Sequence, residues 1–335
     1  MYYAGLDVHK KTTFVIIKDQ LGNVQESNKI KSKKNDIIKW AQNAPSPLSV
    51  VLEATLFTGW IYDILIQYID KVTVANPIML NYISKAKNKN DNIDANKLCD
   101  LLRVNMIPET YMLPPKVRQV RELLRYRNWL LAQCTRFKNK INGELMMNGH
   151  EFNKKKLHNK GYFQELLDSL EADKNVLEIL NMSRNQLELL KQLERRVKRL
   201  IYTHPEVTER VELLTTIPGV GEITALTWTL EVWEPTRFSN YKKAISYCGL
   251  CAGQDQSGEK TKRGPLSKQR NKRLQWVLIE AAKVAVHRIK DPTLVSIYQK
   301  TAAKKNNNAA TVAVARHLVK WLMAVDKRGT PFVAA

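Results

Sequence analysis

The chain has 335 residues and carries 54 Lys plus Arg against 32 Asp plus Glu, a formal net charge of +22 with a pI near 9.8. That length accommodates two or three domains, each able to bury a core, and the charge predicts a salt-dependent affinity for a polyanion such as nucleic acid. A membrane is the rival partner, but no stretch approaches the roughly 18–20 apolar residues of a spanning helix and the N-terminus lacks a basic-then-apolar signal layout, so a cytoplasmic protein is expected.

Residues 1 to about 107 alternate strands and helices. Apolar strands are predicted at 2–8, 12–18, 48–53 and 72–75, with helical stretches at 35–44, 60–69 and 91–104. The β-β-β-α-β-α-β-α reading is the order of a ribonuclease-H-like fold. Pro108, Pro114 and Pro115 then punctuate the chain as a linker.

Four acids stand out in this region. Asp7 interrupts the apolar run Tyr2-Tyr3-Ala4-Gly5-Leu6-Asp7-Val8, and Glu53 ends Ser49-Val50-Val51-Leu52-Glu53. A carboxylate in a buried strand costs several kcal/mol unless a cation compensates it. Asp91 and Asp94 lie three apart, on one face of a helix. Each alone is more often a cap or an ion pair; together the four can hold one or two Mg²⁺ ions, the arrangement that stabilises attacking and leaving oxygens in phosphoryl transfer.

From Val117 the apolar positions Val117, Val120, Leu124, Leu131, Cys134, Ile141 and Leu145 keep a helical rhythm, with Arg118, Arg121, Arg125, Arg127, Arg136, Lys138 and Lys140 on the remaining faces. That basic face looks too charged to bury against protein and is expected to meet a nucleic-acid backbone through Arg118, Arg121 and Arg125. A second long helix runs through Leu187, Leu190, Leu193, Val197 and Leu200, so the two predict an antiparallel coiled coil or dimer seam, with an ordinary helical bundle as the plain alternative.

Ile217-Pro218-Gly219-Val220-Gly221 precedes an apolar helix, and Gly219 and Gly221 could let a tight turn aim backbone N–H groups at a phosphate, as in a helix-hairpin-helix contact. Further on, Ser257-Gly258 is followed by Lys260, Lys262, Arg263, Lys268, Arg270, Lys272 and Arg273, and a helix is predicted over 274–290. A serine among so many cations could attack a phosphodiester, since the cations would stabilise the transition state. A Ser-Gly pair is more often a plain turn, and Ser267 is an equal candidate on chemistry alone. Cys248 and Cys251 form a C-x-x-C with no second pair or nearby His, which reads as packing rather than zinc or redox chemistry.

In order, Gly5-Leu6-Asp7-Val8-His9-Lys10, Leu52-Glu53-Ala54-Thr55, Asn90-Asp91-Asn92-Ile93-Asp94-Ala95, Ile217-Pro218-Gly219-Val220-Gly221 and Gly249-Leu250 through Ser257-Gly258 resemble the DEDD insertion-sequence transposases, the bridge-RNA-guided recombinases to which the Piv-type pilin-gene invertases are related. The resemblance spans nearly the whole chain. It implies a RuvC-like domain at 1–110 with Asp7, Glu53, Asp91 and Asp94 on Mg²⁺, a helical coiled-coil region at 116–205, and a C-terminal transposase domain at 206–330 whose nucleophile matches Ser257. It further implies donor and target DNA as substrates, a structured bridge RNA that reads them by base pairing, and a homodimer assembling to a tetramer. Two departures are local: Leu56-Phe57 intervenes before Thr58-Gly59, and Cys251-Ala252 stands where Thr-Pro is common. With some 250 residues between Asp7 and Ser257, a composite site is expected, the serine of one protomer meeting the acids of another. The rival classes are a Holliday-junction nuclease using the same acids with water, a site-specific invertase, and a structural binder indifferent to the acids.

Overall fold

Alternation in the first strands sorts their side chains onto two faces, and each face found its own helices. The computed structural model describes residues 1–83, 91–257 and 260–333, except the side chains of 82, 83, 91, 255, 257 and 260–263. The chain separates into two units, Met1–Pro115 and Lys116–Ala335.

In the first unit β1 (Tyr2–Val8), β2 (Thr12–Lys18), β3 (Val24–Lys31), β4 (Leu48–Glu53) and β5 (Lys71–Ala75) form one mixed sheet in the order β3-β2-β1-β4-β5. The first three strands are antiparallel neighbours, whereas β4 and β5 run parallel to β1. Ala4, Leu6, Val50 and Leu52 face a core closed by Ile37 and Trp40 of α1 (Lys34–Asn43) and Ile61 and Leu65 of α2 (Thr58–Leu65). The opposite face, with Val51 and Ala75, packs on Leu98 and Leu102 of α4 (Asp91–Arg103), which follows the short α3 (Pro77–Ile83).

Helix α4 is pinned to the sheet at several points. A Cβ on Gly5 would run into the Ala95 carbonyl oxygen and lie 2.7 Å from the Cys99 nitrogen, so only glycine lets the helix backbone lie this close. The Cys99 thiol donates to the Tyr3 carbonyl at 3.1 Å, and buried Lys18 donates to both Asp100 oxygens at 2.7 Å. Burial pushes that thiol up to about 11, which makes Cys99 a packing residue.

The second unit begins with α5 (Pro115–Met147), 33 residues long, and continues through α6 (Lys160–Ser169) to α7 (Lys174–Ile201). Arg127 meets Glu194 at 2.6 Å while Cys134 lies near Lys191, an antiparallel order of contacts between α5 and α7. The remainder is α8 (Pro205–Thr215), α9 (Glu222–Val232), α10 (Tyr241–Tyr247), a hairpin of β6 (Ala252–Ser257) and β7 (Lys260–Leu266), α11 (Lys272–Val284), α12 (Pro292–Lys304) and α13 (Asn307–Arg328). Every residue of α9 from Thr224 to Val232 is buried, the signature of a central helix.

Two buried carboxylates fasten this bundle. Asp326 of α13 accepts from Arg210 Nε and Nη2 at 2.6 Å and from the Trp228 indole N–H at 2.8 Å. Glu231 of α9 accepts Arg125 Nε at 3.0 Å, Arg125 Nη2 at 3.1 Å and Asn271 Nδ2 at 2.9 Å. The predicted helix over 274–290 is α11 followed by a wider π-type turn at Ala285–Ile289, and Ser257, expected in a Ser-Gly turn, is the last residue of β6, while Gly258 lies outside the described residues.

Candidate catalytic site and nucleic-acid surface

The acids of the first unit gather by backbone register. Leu6 and Leu52 are paired on adjacent parallel strands, which puts Asp7 and Glu53, one residue on, at neighbouring C-terminal strand ends and on the α4 face. Helix α4 lies with Ala95 over Gly5 and Cys99 near Tyr3, so it runs antiparallel to β1. Four helical residues rise about 6 Å, nearly what two strand residues cover. Stepping from Ala95 to Asp91 therefore matches stepping from Gly5 to Asp7, and the first turn of α4 arrives at the strand ends that carry Asp7 and Glu53.

Their environments differ from those of ordinary buried acids. Asp7 is half-buried and lies 3.1 Å from His9 Nε2, two residues along the same strand direction. Asp94 is half-buried with Lys97 at 3.6 Å. The Glu53 carbonyl accepts the Thr58 hydroxyl at 3.1 Å, and that hydroxyl accepts the Thr55 N–H at 2.7 Å, so the additional Leu56-Phe57 leaves Thr58 in touch with Glu53. The Asp91 side chain lies outside the described residues. Among the described residues no three His, Cys, Asp or Glu side chains stand close enough to hold a metal. The donor chemistry nevertheless fits a hard cation: carboxylate oxygens from two strands and one helix, with His9 as the neighbouring nitrogen. His9 was missed as a site residue, although its i, i+2 spacing from Asp7 in an extended segment was the signal that could have found it.

In the second unit Ser257 ends β6, and its backbone pairs with Lys260 of β7, as Asp255 pairs with Lys262. The side chains of Ser257, Lys260, Lys262 and Arg263, and all of Gly258, lie outside the described residues. Ser267 is described: its hydroxyl accepts the Gln269 N–H at 3.2 Å and its carbonyl accepts Arg270 Nη1 at 2.8 Å, as in a turn-forming serine.

The cations divide into those spent on the fold and those left at the surface. Arg125 is held by Glu231 and by Glu122 at 3.1 Å, and Arg127 is buried against Glu194. The expectation that the Arg-rich face of α5 is too charged to bury against protein therefore fails at these two positions, because acids of α7 and α9 neutralise them. Arg121 is largely covered; burial, then Arg125, lowers its pKa. Arg118 is half-buried. The Arg270 stem packs on Gly249, where a Cβ would sit 2.5 Å from it. Lys268, Lys272 and Arg273 are exposed, with Arg273 4.0 Å from Glu231.

The two glycines have separate roles. Gly219 has a φ of 84°, and a side chain there would strike Ala285 and lie 2.9 Å from the Ala281 carbonyl oxygen, so close packing on α11 accounts for it. Gly221 precedes α9 with open space around it. Cys248 is fully buried and its thiol is pushed well up by burial, consistent with packing.

Comparison with known proteins decides the family. The profile of the IS116/IS110/IS902 transposase family matches residues 211–299, and a transposase profile of the IS110 DEDD type matches residues 4–150. The chain belongs to the IS110/IS116 DEDD transposase family. Its class of chemistry is DNA cutting and rejoining. It is 22% identical over 338 residues to the transposase for insertion sequence element IS1328 of Yersinia enterocolitica, covering 98% of this chain and 97% of that protein. A transposase-named protein of Sinorhizobium fredii is 22% identical over 263 residues, 71% of this chain and 65% of its own length. The pilin gene-inverting protein of Moraxella bovis is 29% identical over 143 residues, 42% of this chain and 44% of its own. Among the described residues no helix of this transposase is long and apolar enough to cross a membrane.

Proposed function

We propose that this transposase moves an insertion sequence through a Mg²⁺-dependent step at Asp7, Glu53, Asp91 and Asp94 and a covalent step at Ser257. The observation that carries the reading is the convergence of Asp7, Glu53 and the first turn of α4 at one end of a mixed sheet ordered as in a ribonuclease-H-like, RuvC-type domain. Mg²⁺ held there would neutralise charge on the scissile phosphate. His9 orients Asp7, and Thr58 fixes the loop that presents Glu53.

Ser257 Oγ attacks phosphorus, the bond from phosphorus to one sugar oxygen breaks, and the hydroxyl proton passes to that leaving oxygen. A phosphoserine ester then retains the bond energy for rejoining. Donor and target would be chosen through a structured guide RNA, with protein cations holding backbones. The enzyme would act in the cytoplasm as a dimer assembling to a tetramer, Ser257 of one protomer meeting the acids of another. The inverting relatives favour a second reading, inversion of a resident DNA segment by the same chemistry.

The test mixes Ser257→Ala and Asp7→Ala proteins, each expected to be inactive alone. Partial recovery of recombination supports both roles and their sharing between chains. No recovery despite mixed oligomers and an active wild type assigns the site to one chain. A water-based nuclease would instead cut branched DNA with Ser257→Ala and leave no covalent adduct.

A further inference from the structure

The outer wall of α5 and the first turns of α11 enclose an open groove of about 330 Å³ whose surface is mainly apolar, lined by Leu131, Ala132, Thr135, Trp276 and Val277, with Lys272 and Arg273 at its edge. Trp276 is 60% exposed, and Leu131, expected in the buried stripe, is 37% exposed because its neighbour Leu130 takes the core position. On α5, Trp129 stands three residues before Ala132 and hence beside it on the helix surface. Its ring stacks on Tyr126 at 5.5 Å and 14°, and the two are 52% and 47% exposed. Three large aromatic rings thus remain uncovered on two adjacent helices, next to cations.

The walls of this groove are bolted together. Buried Glu231 holds α5 through Arg125 Nε and Nη2 and α11 through Asn271, whose side chain also caps α11 by accepting the Arg273 and Leu274 N–H groups. The separation of the two helices at the groove mouth is therefore set before any ligand arrives. Glu231 is itself 2% exposed and already engaged, and among the described residues no acid lines the groove, so none of these would receive a lysine from a second copy of the chain.

We infer that this groove is a stacking site for unpaired nucleotides of a single strand. An exposed Trp276 in a preset cleft, with the Tyr126–Trp129 stack beside it on α5, matches bases that are out of a duplex, whose faces are otherwise hidden, and Lys272 and Arg273 meet the accompanying phosphates. The inference deepens the reading of the chain as a nucleic-acid enzyme and rests on it. Single-stranded DNA, exposed when the duplex opens, has the required chemistry.

The experiment measures fluorescence anisotropy of labelled oligothymidylate and of a labelled blunt duplex with the full chain. Trp276→Ala should weaken oligothymidylate binding about tenfold or more, Trp276→Phe should keep most of it, and duplex binding should change less than about twofold in either. Lys272→Gln should lower the salt slope for the single strand by about one. Unchanged oligothymidylate affinity in Trp276→Ala overturns the inference, as do equal losses on both probes. Loss of self-association with single-strand affinity intact also overturns it and assigns the face to a second copy. Wild type that binds duplex and not oligothymidylate refutes this site alone; wild type that binds neither overturns the proposed function as well.

Discussion

The acids of the two units live under opposite conditions. Asp7 and Asp94 sit half-buried at the end of a sheet, with His9 3.1 Å from Asp7 and Lys97 3.6 Å from Asp94. Glu231 and Asp326 are almost fully enclosed and bonded by arginine in two-pronged geometry, with Asn271 or Trp228 taking a further lone pair. A carboxylate whose hydrogen-bonding capacity is filled from within its own unit has nothing left for a ligand; removing its partners would strand a buried charge. One that is only half-buried at a strand end stays within reach of a cation or a proton from solvent. The cations follow the same division, Arg125 and Arg127 spent on the fold, Lys268, Lys272 and Arg273 exposed.

That contrast can be broken first on the chemical side. Asp7→Asn should reduce recombination on the order of a thousandfold while moving the unfolding free energy by less than about 1 kcal/mol. Paired measurement of strand exchange and urea denaturation checks it, and a large stability loss would move Asp7 into the structural class. Glu231→Ala should do the reverse in kind: about 3–5 kcal/mol of stability lost, because Arg125 and Asn271 are left facing an unfilled, buried partner position. Calorimetry or denaturant titration reads this directly, and a variant as stable as wild type would show that the bolt between α5 and α11 carries no load. Gly5→Ala should cost about 1–3 kcal/mol by pushing α4 off β1. It should also cut recombination by displacing the first turn of α4 from Asp7, so its activity loss ought to exceed what the fraction unfolded explains.

Legibility in the sequence tracked how local each cause was. Strand β1 announces itself by its apolar run, β2, β4 and β5 by β-branched runs, and α4 by its spacing, so the end of the sheet that carries Asp7 and Glu53 could be anticipated. Strand β3, Val24-Gln25-Glu26-Ser27-Asn28-Lys29-Ile30-Lys31, is an edge strand without apolar alternation and is set by pairing with β2. The β6–β7 hairpin carries Pro265 and three cations in β7 and has no strand signature, which is why the Ser-Gly pair read as a bare turn. The spent arginines were hidden for a different reason. Glu231 lies 106 residues from Arg125 in sequence, and only the packing of α9 against α5 reveals the pair. Gly219 was similarly ambiguous until Ala285 was seen against it.

The smallest expected effect sharpens the comparison through pH. Burial raises the Glu231 carboxyl pKa, but the Arg125 hydrogen bond and charge, then Asn271 and Arg121, outweigh it and hold the group below the ordinary value of 4.5. The folded state therefore favours the ionised form more than the unfolded chain does. The stabilisation is complete above the unfolded value and drains away as pH falls through 4.5 toward the lower folded pKa. Glu231→Gln removes this linkage. Its stability deficit relative to wild type should be constant near neutrality and narrow on acidification below about pH 5. Denaturant titrations of both proteins across that range test it. A deficit that stays flat to the acid end would mean that Glu231 is no better ionised in the fold than in the open chain, and its arginine partner would then serve packing rather than charge.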